Sequence, residues 1–411
     1  MILKRAAPSA RKERTLPAPF IRLGRRVVGC DVSMDTLGQL ETPALVLDRP
    51  KVQRNLARMR DKLAGLGVPL RPHVKTAKCI EVVRMALEDR PGPITVSTLK
   101  EAEQFFAHGI RDILYAVGIA PGKLDHVADL RRRGADVTIL LDSEDAAHAV
   151  AAKGEALGVR FPALIEIDSD GHRSGVKPGE AVLIDIGRVL QESKGAELRG
   201  VLTHAGDSYN CGDTAAIRAM AERERAAVVG CAERLRGAGL PCPVVSVGST
   251  PTATFARRMD GVTEVRTGVY MFFDLVMAGL GVCAIDDIAV SVLTSVIGHQ
   301  RDKGWIITDA GWMALSRDRG TAGQPVDQGY GVVCDADGRV IDGLIVTSTN
   351  QEHGILAYRD GSAPDWARFP VGTPLRVLPN HACATAAQHD RYHVVDGDAN
   401  VTAAWPRFSG W

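Results

Sequence analysis

Residues 94–117 read Ile-Thr-Val-Ser-Thr-Leu-Lys-Glu-Ala-Glu-Gln-Phe-Phe-Ala-His-Gly-Ile-Arg-Asp-Ile-Leu-Tyr-Ala-Val. A short β-rich run, Ile94–Ser97, leads into a helical segment, Leu99–His108, and then into a second β-rich run, Ile113–Val117. Each piece is bounded by turn chemistry, so the stretch reads as one strand–helix–strand unit. Working outward, further β-rich runs lie at Val68–Lys75, Val137–Asp142, Ala163–Asp168, Gly200–His204, Val244–Gly248 and Thr263–Arg266, which makes eight with the first two. Helical segments such as Thr214–Arg236 separate most of them. Upstream, a strand over 43–48 precedes an amphipathic helix over 50–66, with Val52, Leu56, Met59, Leu63 and Leu66 at helical spacing. Alternation in this number predicts a closed parallel (β/α)8 barrel of the TIM type. An open doubly wound sheet is disfavoured, because no Gly-x-Gly-x-x-Gly opens a helix after the first strand.

Beyond residue 280 the helical periodicity fades. The runs Ala289–Gly298, Gly304–Asp309, Gly331–Cys334, Gly343–Thr347 and Pro374–Leu378 are short, β-branched and separated by Gly, Asp and Pro. The expected organisation is a basic extension and lead-in over 1–42, the barrel over 43–280 and a mostly-β second domain over 281–411.

Composition narrows the function. Hydrophobic residues at 45% and charged residues at 24% exclude a mainly disordered chain. A net charge of +1 provides no global field for nucleic acid or an anionic membrane. No apolar run reaches ~18 residues, so no membrane span is expected. The eight cysteines are scattered with no Cys-x-x-Cys pair, the pattern of reduced thiols in a cytoplasmic protein. The charge is nevertheless uneven. The first 28 residues hold eight basic residues and one acidic one, and setting them aside turns the net charge from +1 to −6. That extension reads as an organellar presequence, a solvated tail or the product of an upstream start.

In a barrel of this type the reactive groups stand at the C-terminal ends of the strands. Lys75, in Arg71-Pro-His-Val-Lys-Thr-Ala-Lys78, ends a β-run, where a lysine can condense with an aldehyde cofactor or simply emerge at the rim. Lys78 reads as a solvated helix-start residue. Val245-Ser-Val-Gly-Ser-Thr-Pro-Thr252 is a strand, a small-residue turn and a helix start, and Arg266-Thr-Gly-Val-Tyr270 forms a matching late turn. Two such turns after the last two strands suit a phosphate; plain turn chemistry is the alternative. His204 is placed for stacking on a cofactor ring or for proton transfer, unless it is a satisfied core histidine. Arg173 is a cation in a loop at the same face, able to donate to a ring nitrogen or to form a surface ion pair. In the second domain, His381 and Cys383 stand at i and i+2, so on an extended segment both face one way. Imidazole plus thiolate is a competent half-site for a zinc-like ion; a turn with a buried cysteine is the alternative.

With these pieces together, the chain resembles the pyridoxal-phosphate enzymes of the alanine racemase-type barrel, fold type III, in the branch that contains D-serine dehydratase, D-threo-3-hydroxyaspartate dehydratase and D-threonine aldolase. The likeness is greatest to the hydroxyaspartate dehydratases. It rests on RPHVKTAK (71–78), ITVSTLKEAEQFF (94–106), DILYAVGIAP (112–121), EIDSDGHRSGV (166–176), THAGDSY (203–209), VVSVGSTPT (244–252), TEVRTGVYMFFDLVM (263–277), NQEHG (350–354) and PNHACAT (379–385), and spans about residues 34 to 411.

The resemblance implies that Lys75 carries pyridoxal 5'-phosphate and acts in catalysis. It implies that His204 faces the cofactor ring, that Arg173 lies near the pyridine nitrogen and that Tyr209 belongs to the cofactor site. Gly248, Ser249 and Thr250, with Gly268 and Val269 or Tyr270, would cradle the phosphate. His381 and Cys383 would hold a divalent metal (Zn, Mn or Mg). Aldolase members carry His-x-Asp where this chain has His-x-Cys, which favours a dehydratase. Position 77 is alanine where many relatives place histidine or serine. The substrate implied is a small D-configured β-hydroxy-α-amino acid, and the assembly implied is a homodimer. A non-catalytic cofactor-handling barrel is the competing class, and the long second domain argues against it.

Overall fold

The computed structural model describes residues 36–411; the basic extension, including Cys30, lies outside the described residues. Eight parallel strands form one sheet: β2 (Leu70–Pro72), β3 (Ile94–Val96), β4 (Asp112–Gly118), β5 (Asp136–Leu141), β6 (Phe161–Ile167), β7 (Ala196–Thr203), β8 (Val244–Val247) and β9 (Glu264–Thr267), preceded in the chain by β1 (Ala44–Asp48). The order β2-β9-β8-β7-β6-β5-β4-β3 is that of a barrel. It closes through a parallel bridge between His73 and Thr95, supported by Val74 N donating to Thr95 O at 2.9 Å. Each expected βα unit is present.

The helices start where the sequence supplies caps. Asp48 accepts from Lys51 N at the head of Arg49–Ala64, Thr98 from Glu101 N before Leu99–Ala107, and Asp213 from Ala216 N before Thr214–Gly237. The first of these helices turns Val52, Leu56, Met59 and Leu63 onto the barrel wall. Inside the barrel, Leu114, Leu140, Leu164 and Leu202 pack together, with Ala116 beside them.

The second sheet contains β1 and eight later strands: β10 (Val290–Gln300), β11 (Trp305–Thr308), β12 (Val332–Cys334), β13 (Val340–Thr349), β14 (Gly354–Tyr358), β15 (Pro374–Leu378), β16 (Arg391–Val395) and β17 (Val401–Pro406). Its order is β11-β14-β13-β12-β15-β10-β1-β16-β17, with β10 also pairing with β11. The 11-residue β10 serves β1 through Val290–Leu293 and β11 through its later residues.

Several expectations need correction. The strand over 43–48 forms, but β1 joins the second sheet between β10 and β16 instead of the barrel. Its pattern of five buried residues suits any strand covered on both faces, so periodicity does not choose its sheet. The lead-in is ordered from residue 36: Leu37–Gln39 form a 3-10 turn, and Leu37 packs against Ala44, Val46, Leu293 and Val401. The run Val68–Lys75 is strand only over Leu70–Pro72, so Lys75 lies in a turn beyond the strand. Lys78 is not solvated; it adopts a positive φ of 44° and pairs with the buried Glu101 at 3.3 Å. The strands β14, β16 and β17 have no counterpart among the expected runs.

Among the described residues all seven cysteines are free, and no helix is long and apolar enough to cross a membrane.

Arg71 binds the short β2 to its surroundings. Its guanidinium donates to Glu264 at 2.7 Å, to Asp112 at 2.7 Å and to Ile94 O at 3.3 Å. Arg71→Met would leave Glu264 buried without its ion-pair partner and with only the Ser246 hydroxyl donating to it, because the Arg71 and Glu264 side chains are only 13% and 11% exposed. We expect a loss of about 3 kcal/mol in unfolding free energy, read as a lower denaturant midpoint at unchanged m-value.

Candidate functional site

The C-terminal ends of the barrel strands open into a cavity of about 470 Å³, with residues of the second domain on its wall. Lys75, Arg173, His204, Tyr209, Gly248, Ser249, Thr250, Gly268, Val269, His381 and Cys383 all line it. Tyr270 does not: its ring is fully buried in the core, and its hydroxyl has no partner among the described residues.

Lys75 projects from the turn after β2 and is exposed to the cavity. It lies near enough to His73, His204 and Cys383 to act on all three electrostatically. His204 follows β7 and shares a 2.7 Å hydrogen bond between Nδ1 and Gly248 O. Since a carbonyl only accepts, Nδ1 carries the proton and Nε2 is bare. Burial, helped by Lys75 and Arg266, lowers the His204 pKa to about 3, so the ring is neutral at physiological pH. Tyr209 stands beside it with ring centroids 6.4 Å apart. Arg173 reaches back from the loop after β6 to Glu166 at 3.0 Å, while Ser174 occupies the second oxygen of that carboxylate.

The two small-residue turns form a cradle of close-packed backbone. Gly248 has a φ of +147°, and a Cβ there would lie 1.9 Å from Arg266 O. At Gly268 a Cβ would lie 3.0 Å from both His73 O and Thr76 Oγ1. Either side chain would push the turn off its neighbours. The Ser249 hydroxyl is committed to its own helix, accepting from Thr252 N at 3.2 Å and bonded to Ser208 Oγ at 2.9 Å. The hydroxyls of Thr250 and Thr267, by contrast, are buried without any partner among the described residues. Unpaired buried hydroxyls beside a glycine-lined turn suit the oxygens of a bound phosphate, so the residues present fit a phosphorylated cofactor.

His381 and Cys383 converge, although not on an extended segment. His381 precedes the short helix Ala382–Ala386, and Cys383 sits in its first turn. His381 Nδ1 contacts Asp318 Oδ2 at 2.7 Å, and Cys383 Sγ contacts Thr76 Oγ1 at 3.1 Å. Burial disfavours charge on both, yet Asp318 and Cys383 raise the His381 pKa to about 11, and His381 with Lys75 holds the Cys383 thiol below its ordinary value. An imidazole beside a thiolate is a donor set suited to a soft or borderline divalent cation, which replaces the imidazole proton on binding. This chemistry fits a metal.

The sequence missed several neighbours. Glu224, on the long helix Thr214–Gly237, is fully buried and accepts from both Ala205 N and Gly248 N at 3.0 Å, pinning the His204 loop to the Gly248 turn. Nothing in the run Glu222-Arg-Glu-Arg225 separates it from solvated charges on the same helix. Arg266 points into the barrel and donates to Thr203 O at 2.6 Å; burial lowers its pKa to about 10. Asp274 accepts from Ala382 N and Met277 N, and burial raises its pKa to about 6. Arg317 is stacked 4.4 Å over Trp312 and does not line the cavity.

A closed parallel barrel carrying a lysine, a cradle of this kind and a β domain over its mouth defines a pyridoxal-phosphate enzyme of the alanine racemase type. Residues 47–276 match the family described as alanine racemase, N-terminal domain, and residues 289–395 match a serine dehydratase domain family. The chain belongs to the first family, in its D-serine dehydratase-like branch. It is 58% identical over 380 residues to D-threo-3-hydroxyaspartate dehydratase of Delftia sp. strain HT23, covering 92% of this chain and 100% of the relative. It is 28% identical to D-threonine aldolase of Arthrobacter sp., covering 90% and 93%. Among solved structures, a cysteine-to-alanine mutant of D-threo-3-hydroxyaspartate dehydratase in the metal-free form superposes with a TM-score of 0.89 at 57% identity, covering 92% of this chain and 100% of that one.

The His204 ring has a pH signature. Its folded pKa lies below the ordinary 6.5, so on acidification the unfolded chain binds the proton first. The stability it contributes is complete above pH 6.5 and is lost as pH falls toward 3. Thermal melts between pH 7 and 5 should show a steeper acid loss for the parent than for His204→Gln.

Proposed function

We propose that this chain is a lyase that uses pyridoxal 5'-phosphate and a divalent metal to act on D-configured β-hydroxy-α-amino acids. The activity proposed is dehydration of D-threo-3-hydroxyaspartate to a keto acid and ammonia. The single observation that carries this reading is the convergence of Lys75, from the barrel, with His381 and Cys383, from the second domain, on one cavity. The 58% identity to the Delftia dehydratase and the cysteine at 383 favour dehydration over aldol cleavage. Of zinc, manganese and magnesium, a thiolate–imidazole pair suits a zinc-like ion best. A homodimer is part of the same reading.

When bound, the cofactor acts as an electron sink for charge developing at the substrate α-carbon, and the metal acts as a Lewis acid toward the β-hydroxyl. The remaining work falls to the chain. Lys75 would hold the cofactor aldehyde and, once displaced by the substrate amine, take the α-proton with its free Nζ. Thr250 and Thr267 would donate to the phosphate from the cradle at Gly248 and Gly268. The neutral His204 would pack its face on the cofactor ring, and Arg173, fixed by Glu166, would donate toward the ring nitrogen. His381 and Cys383 would hold the metal beside the substrate hydroxyl. Loss of the α-proton and the β-hydroxyl, followed by hydrolysis, balances to one keto acid and one ammonia.

Incubation with D-threo-3-hydroxyaspartate, D-serine and D-threonine separates the alternatives. We expect keto acid with equimolar ammonia, fastest on the hydroxyaspartate; glycine plus aldehyde without ammonia would establish an aldolase instead. Lys75→Ala should lower kcat by about 10³-fold or more. A chelator should suppress turnover, and turnover unaffected by full metal removal would refute the metal role.

A further inference from the structure

We infer that Asp318 is a positioning residue that fixes the ring of His381 so that Nε2 is its metal donor; this rests on the metal-dependent reading above. Asp318 Oδ2 lies 2.7 Å from His381 Nδ1. A carboxylate in this position accepts the Nδ1 proton, sets the tautomer and ring orientation, and leaves the other nitrogen to the metal.

Both partners are held before any metal arrives. The other carboxylate oxygen of Asp318 accepts from Gly320 N at 2.8 Å, which fixes the plane of the group. The backbone carbonyl of Asp318 accepts from the Asn380 side chain at 3.2 Å, and Asn380 directly precedes His381. Asn380 itself is fully buried, accepting from Thr321 Oγ1 at 2.8 Å and donating to Gly329 O at 2.6 Å. On the opposite side, Asp274 takes the amide of Ala382 at 3.0 Å. The loop 316–321 and the segment 379–383 therefore form one stitched unit. In it Asp318 faces the Nδ1 side of the imidazole, and Cys383 lies in the same cavity.

The test uses the cofactor-loaded protein stripped of metal by chelator and titrated with Co²⁺. The thiolate-to-cobalt absorption band reads the affinity, and proton NMR reads the hyperfine-shifted, solvent-exchangeable N–H of the bound imidazole. We expect Asp318→Ala to weaken Co²⁺ binding about 10–100-fold. Asp318→Asn, which keeps an acceptor oxygen, should fall between it and the parent. The imidazole N–H signal should be visible in the parent and lost to rapid exchange in Asp318→Ala. An unchanged cofactor absorption spectrum in both variants reports an intact fold. Equal affinity in parent and Asp318→Ala would overturn the inference alone. Weaker binding with an equally persistent N–H signal would also overturn it, since Asp318 would then be a ligand or a structural residue. A parent with no thiolate band would overturn the metal reading, and this inference with it.

Discussion

The turn that carries Lys75 is held from the second domain. Thr76 Oγ1 meets Cys383 Sγ at 3.1 Å, Tyr392 donates its hydroxyl to Ala77 O at 2.7 Å, and Phe408 N donates to Lys78 O at 2.6 Å. From the barrel side the turn is held by His73 N donating to Thr267 O at 2.7 Å, by Val74 N donating to Thr95 O at 2.9 Å and by the Lys78–Glu101 pair, so it is clamped between the two domains. The lysine position therefore depends on how the C-terminal segment docks. That dependence also explains why alanine is acceptable at position 77: the contact there is made by a backbone carbonyl, and the side chain is buried.

Charge is arranged locally in this site. Arg266 and the Arg71–Glu264 pair occupy the barrel beneath the cradle, and the buried Glu224 joins two loops through their amides. A buried carboxylate without direct cationic pairing is costly unless its oxygens are hydrogen-bonded, and Glu224 meets that condition with backbone N–H groups. The result is a neutral His204 at one wall and, at the other, a protonated His381 beside a Cys383 thiol held below its ordinary pKa, about a lysine exposed between them. The remainder of the chain, at −6 without its basic extension, offers an anion local cations such as Lys75 and Arg266 in the cavity and no overall positive field.

The barrel was legible because eight β-rich runs recur at regular spacing and because reactive residues sit where strands end. Lys75, His204, Gly248 and Gly268 come from that rule alone, and the cavity contains all of them. What escaped was set by contacts between distant segments. Glu224 is separated by 19 and 24 residues from the amides it binds, and its helix is rich in exposed charge. Asp318 lies 63 residues from His381, in a loop without periodicity. The range of β1 fell within the expected barrel domain, because a fully buried run carries no mark of which sheet covers it. His381 and Cys383 line one cavity from a helix start, not from the extended segment that their i, i+2 spacing suggested.

The central claim is that Lys75, and no other lysine, holds the cofactor at a site completed by the second domain. Reducing the cofactor-loaded protein with borohydride converts the lysine–cofactor link to a stable amine, and peptide mass spectrometry then locates it. The account predicts the label on the peptide containing Lys75 and its disappearance in Lys75→Ala. A label on another lysine, or the same labelling in Lys75→Ala, would contradict it.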